Sequence, residues 1–209
     1  MAIEQIDITS KEQLITVLQG LGYFDTVEYN SDTSHIYCSI GNDVILKVPA
    51  PSSSTGVSTF EFNAGNGRNF TVTSRKMPTL VYKSRNGLLA VYGTSTGVTS
   101  YIAFLVGKTN SNAVSVCACS SSNSAKLYKV GAVGETSPEI GDSFSTLEND
   151  WSTSPQITAV PIPTHPSNGV SYIKGAKAVI CGPKLNTGIA TINGVEYATN
   201  GYIMISDEA

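Results

Sequence analysis

Two Asn-Gly pairs near the C-terminus, Asn193-Gly194 and Asn200-Gly201, constrain this chain more than any other feature. Asn and Gly tolerate the positive φ that a two-residue hairpin turn demands, and few other residues do. The runs around them, 189–192, 195–198 and 202–205, are rich in β-branched and aromatic residues. The spacing therefore predicts a three-stranded antiparallel meander ending just before the acidic Asp207-Glu208. The same logic applies upstream. Runs 35–40 and 43–48 flank Gly41-Asn42, runs 80–83 and 88–92 flank Asn86-Gly87, and runs 101–106 and 114–119 flank a polar connection from Lys108 to Asn112.

Composition supports a β-rich reading. Of 209 residues, 41% are hydrophobic, enough for a core, yet only 14% are charged. Ser, Thr, Asn and Gly replace the missing charge, and these favour strands and turns over helices. One helix stands out: Thr9 or Ser10 can cap it, Glu12 stands three after Thr9, and Leu14, Val17, Leu18 and Leu21 form an apolar stripe. Ile3, Ile6 and Ile8 precede it and read as a short strand. The expected fold class is mainly β, with antiparallel, sandwich-like sheets, an α+β N-terminal part and one amphipathic N-terminal helix.

Three stretches read as loops or boundaries: 49–58, 131–155, and the proline-rich 161–169, which cannot occupy a central strand. The middle one either holds a short helix at about 144–151 or is a surface excursion. The resulting division is an α+β part over 1–130, a loop-rich connection over 131–155 and a C-terminal β meander over 156–209, with a single domain as the alternative.

Charge and targeting signals exclude several roles. A formal net charge of −3 leaves no basic surplus to neutralise phosphates, so a nucleic-acid partner is not expected. The first residues lack the basic-then-apolar pattern of a signal peptide, and no run is long enough to span a bilayer, so no membrane partner is expected either. The four cysteines, Cys38, Cys117, Cys119 and Cys181, read as buried thiols rather than a disulfide framework.

Three motifs invite an enzymatic reading. Gly93-Thr94-Ser95-Thr96-Gly97 fits a nucleophile elbow, with Asp142, Asp150 and His165 downstream in hydrolase order. The elbow must open a helix, however, and the residues after Ser95 are β-branched and aromatic. Gly107-Lys108-Thr109 resembles the end of a phosphate-binding loop, but Ile102 stands where the motif needs glycine. Cys117 with Cys119, and His35 with Cys38, lack the spacing of zinc ligand pairs. The sequence thus assigns no catalytic, cofactor or metal residues and implies no cofactor; a serine hydrolase using Ser95 is the remote alternative. Tyr101, Trp151, Tyr172 and Tyr202 are the candidate binding or interface aromatics, since such rings fill interfaces or stack on sugars.

The segment from Ile189 to Glu208 follows the pattern I-x-G-x-x-Y-x-x-x-G-Y-(apolar)-x-(apolar)-x-D over Ile192 to Asp207. In this it resembles the closing segment of structural proteins from phages and prophages of gut Gram-positive bacteria. Residues 172–180 and 103–110 are similar to the same group. The resemblance implies a non-catalytic, virion-associated protein, assembled in the host cytoplasm, whose partners are copies of itself and other virion proteins. The alternative is a β module that binds carbohydrate or a cell surface.

Overall fold

The computed structural model describes residues 2–52, 56–63, 69–92, 102–122, 125–132, 157–164, 171–181 and 185–208. In chain order the elements are β1 (Glu4–Ile6), α1 (Lys11–Gln19), β2 (Thr26–Asn30), β3 (His35–Ile40), β4 (Asp43–Pro49), β5 (Val57–Asn63), β6 (Asn69–Arg75), β7 (Pro78–Ser84), β8 (Gly87–Tyr92), β9 (Ile102–Lys108), β10 (Val114–Ser122), β11 (Ala125–Ala132), β12 (Thr158–Thr164), β13 (Ser171–Cys181), β14 (Gly188–Ile192), β15 (Val195–Thr199) and β16 (Ile203–Ser206).

The protein is mainly β, as the sequence predicts. Its strands form three antiparallel sheets: an N-terminal sheet ordered β2-β3-β4-β5-β6, a central sheet ordered β1-β7-β8-β9-β10-β11, and a C-terminal sheet ordered β12-β13-β16-β15-β14. Helix α1 begins one residue later than a Thr9 cap implies. Ser10 is the N-cap, with its hydroxyl accepting from the Gln13 N–H and the Gln13 side chain reaching back to the Ser10 N–H. Gln13 thus completes the capping box in place of Glu12. Leu14 and Leu18 bury the helix stripe against the N-terminal sheet.

Alternation of side chains across the central sheet explains the layering. In β8 and β9, Leu88, Ala90, Tyr92, Phe104 and Val106 point to one face, where they meet Ile36, Leu46, Phe60 and Phe62 of the N-terminal sheet together with α1. Phe60 lies 5.5 Å from Phe104 and 5.9 Å from Tyr92, ring centre to ring centre. Leu89, Val91, Ala103 and Leu105 point the other way, onto Ile162, Ile173, Ala176, Ala178, Ile203 and Ile205 of the C-terminal sheet. The central sheet is therefore covered on both faces. This is why Leu88–Tyr92 and Ile102–Val106 are unbroken apolar runs rather than alternating ones.

The C-terminal part packs on the central sheet through its own core. The loop reading of 161–169 is corrected in part: residues up to Thr164 belong to β12. Prolines are compatible with this strand because it lies at a sheet edge, where one side of its backbone needs no partner. The stretch 133–156, including Trp151 and the possible helix, lies outside the described residues.

Candidate functional site

The meander folds as its turns dictate, by two different mechanisms. Asn193 and Gly194 adopt φ of 53° and 82°, a type I′ turn that joins β14 to β15 with Ile192 opposite Val195. The second Asn-Gly is not a two-residue turn, since Thr199 pairs with Met204 across a four-residue connection. Here the Asn200 side-chain oxygen accepts from the N–H groups of Tyr202 (3.0 Å) and Ile203 (2.9 Å). The Thr199 hydroxyl donates to the Ile203 carbonyl and accepts from the Gly201 N–H. Asn200 works through its side chain rather than through a left-handed backbone.

The outer face of the C-terminal sheet carries a second small apolar cluster. Val179, Tyr197 and Met204 are its buried centre, and Ile157, Leu185, Ile192 and Val195 form a partly buried rim. The two edges of this sheet differ. Edge strand β12 contains Pro161 and Pro163, which have no backbone N–H, and its pairing with β13 is irregular at two places. Edge strand β14, Gly-Ile-Ala-Thr-Ile, pairs with β15 in unbroken register, carries no charge or proline, and leaves Ile189 48% exposed.

A latch beyond β16 fixes this sheet to the β7–β8 turn. Asp207 accepts from the Arg85 backbone N–H at 2.6 Å, and its other oxygen lies 3.5 Å from the Arg85 Nε. The Asn86 amide donates to the carbonyls of Ser206 (2.9 Å) and Glu208 (2.5 Å). Burial alone would raise the Asp207 pKa; the Arg85 N–H and guanidinium help outweigh it and hold the carboxyl below its usual range. Gly175, at φ 67°, lets β13 pass beside Asn86, whose amide nitrogen would collide with an added Cβ. Asn86 thus acts as a tether, and the turn itself is Arg85-Asn86, with Ser84 opposite Gly87.

Beside the latch is a cavity of about 320 Å³, lined in part by Glu4, Leu21, Tyr23, Lys83, Arg85 and Asp207. Its lining mixes both signs of charge, and several groups are already engaged: Lys83 donates to the Gly20 carbonyl at the end of α1, and Arg85 pairs with Asp207. The described lining residues form no convergent polar set that selects a ligand.

The two predicted aromatics among the described residues, Tyr172 and Tyr202, do not come together. Tyr172 is 39% exposed on β13, where its carbonyl accepts from the Asn110 N–H. Tyr202 is partly buried against the core under the C-terminal sheet, and its carbonyl accepts from the Val179 N–H. Val179 is seven positions from Tyr172 on the same strand, roughly 23 Å at about 3.3 Å per residue. Tyr101, Trp151, Ser95 and His165 lie outside the described residues. The strand-like run expected after Ser95 is described from Ile102 onward, as β9. Gly107-Lys108-Thr109 closes that strand, with Thr109 buried and its N–H donating to the Ala113 carbonyl.

Cys117 and Cys119 share the face toward the C-terminal sheet, while Cys38 lies in the opposite core. Burial raises the Cys38 thiol pKa far above its ordinary value; at Cys117 burial and then neighbouring Cys119 act in the same direction. Such thiols are poor nucleophiles and poor metal ligands at neutral pH. Among the described residues no three His, Cys, Asp or Glu side chains cluster as a metal site, and no helix is long and apolar enough to cross a membrane.

The edge asymmetry of the C-terminal sheet was the functional feature sequence reasoning missed. Its signal was available, because prolines at positions i and i+2 beside β-branched residues mark an edge strand as well as a loop. No protein-family model matches the chain, and neither a curated protein nor a solved structure matches it.

Proposed function

We propose that this chain is a non-catalytic structural component of a phage-like particle, held there by packing against neighbouring subunits. One observation carries the reading. The closing segment that resembles phage structural proteins begins in edge strand β14, which pairs with β15 in unbroken register, carries no charge or proline and leaves Ile189 exposed. A regular, uncharged edge strand with an exposed apolar side chain is what a strand-mediated assembly contact requires. The latch at Arg85, Asn86 and Asp207 supports the same reading, because it holds this sheet in a fixed orientation on the central sheet.

The test is to purify particles by density gradient from the bacterium or phage lysate that encodes the chain and to quantify it by mass spectrometry. The expected result is copies in fixed ratio to the major shell or tail proteins, retained after protease treatment of the lysate. Particles rich in those proteins but lacking this chain overturn the proposal.

A further inference from the structure

We infer that the edge of β14, unpaired among the described residues, is a homodimer contact, at which β14 of a second copy pairs antiparallel across a twofold axis through Ala190. This rests on the assembly reading and deepens it by naming the partner.

The argument starts from which backbone groups face outward. A two-residue type I′ turn closes on a hydrogen-bonded pair, here Ile192 with Val195. In an antiparallel ladder such pairs alternate with pairs whose N–H and C=O point away from each other. Counting back along β14, Ile192, Ala190 and Gly188 bond to β15, opposite Val195, Tyr197 and Thr199. Ile189 and Thr191 therefore present both their N–H and C=O groups to the open edge. Both residues are exposed, Ile189 by 48%.

Two outward-facing residues separated by one inward-facing residue are self-complementary. Laid antiparallel on a second β14 with Ala190 on the axis, Ile189 meets the second copy's Thr191 and Thr191 meets its Ile189. Each meeting is a hydrogen-bonded pair exchanging two bonds. The strand carries no charge, so no like charges oppose one another across the axis.

The other edges explain why this one is singled out and why pairing stops at two. β12 lacks N–H donors at Pro161 and Pro163, so the sheet cannot grow from its far side. β1 has three residues, and the sequences of β2, β6 and β11 carry Glu28, Arg75, and Lys126 with Lys129, the charges that discourage edge pairing. A sheet closed at one edge and self-complementary at the other gives a closed dimer rather than a fibre.

Sedimentation velocity on the purified chain tests this with two edge variants and a cross-link. The wild type is expected to dimerise by about 100 µM, the range a short strand contact supports. Thr191→Pro removes an outward donor from both copies without touching the β14–β15 ladder, and weakens the dimer about thirty-fold or more. Thr191→Lys, which keeps the outward N–H, weakens the dimer by placing a charged side chain, held by Glu196 opposite it, on the edge. Ala190→Cys places two thiols on the axis with Cα atoms about 4.5 Å apart, within disulfide reach, and yields an intermolecular disulfide on mild oxidation. A strictly monomeric wild type overturns the inference, including the case in which a different protein's strand binds the edge. Dimerisation unaffected by both Thr191 variants overturns it too. A monomer still found in purified particles refutes this pairing alone, whereas a dimer absent from particles refutes the particle reading alone.

Discussion

Adjacent residues of one strand, Leu88 and Leu89, offer a direct test of the three-layer arrangement. Both are fully buried, but they face opposite cores: Leu88 packs toward the N-terminal sheet and Leu89 toward the C-terminal sheet. Replacing either by Ala removes three carbons, a transfer loss of about 2.4 kcal/mol at about 0.8 kcal/mol per methylene. Incomplete collapse around the cavity brings the expected cost to about 2–5 kcal/mol for each variant. In a two-layer sandwich one of the two side chains would face solvent, and its loss would cost under about 0.5 kcal/mol. Urea unfolding of the two single variants, followed by circular dichroism, measures both. A cost below about 1 kcal/mol at Leu89, with an unchanged m-value, would refute the packing of the C-terminal sheet on the central one.

The latch gives further expectations. Asn86→Ala loses two hydrogen bonds to backbone carbonyls and is expected to cost about 1–3 kcal/mol in the same assay, while Gly175→Ala destabilises through its left-handed φ of 67° and the close Asn86 amide. The folded pKa of Asp207 is depressed, so its stabilisation is fully present above the unfolded carboxylate range near pH ~4 and is lost as pH falls through the lower folded value. Asp207→Asn should therefore shrink the stability difference between pH 6 and pH 3, and an unchanged difference would remove Arg85–Asp207 from the account. Cys38 and Cys117 should resist thiol reagents at pH 8 in the native protein and react in full after denaturation, as an absorbance assay reads directly. Rapid native labelling of either would contradict its burial.

The sequence by itself determined most of the local structure. Helix α1, the β3–β4 pair, the β9–β10 pair and the meander from Gly188 to Ser206 follow from apolar period and turn residues, because both act within a few positions of the chain. Where local chemistry allowed two outcomes, tertiary context chose. Ser10 with Gln13 won over Thr9 with Glu12, Asn200 served as a side-chain cap rather than a left-handed turn, and Pro161 with Pro163 became an edge strand rather than a loop. The third layer was legible only faintly, in the unbroken apolar runs of β8 and β9, since a strand buried on both faces loses the alternation that reveals its orientation. Of the candidate site, the prolines of β12 marked one edge in the sequence, and nothing marked the edge at β14. Which strands end up at the margins of a sheet depends on the pairing of β13 with β16, elements separated by more than twenty residues, and not on the residues of β14 themselves. An open edge is a property of what fails to pair, and pairing is decided across the fold, where burial of Ile173, Ala176, Ile203 and Ile205 against Leu89 and Leu105 sets the order of the strands.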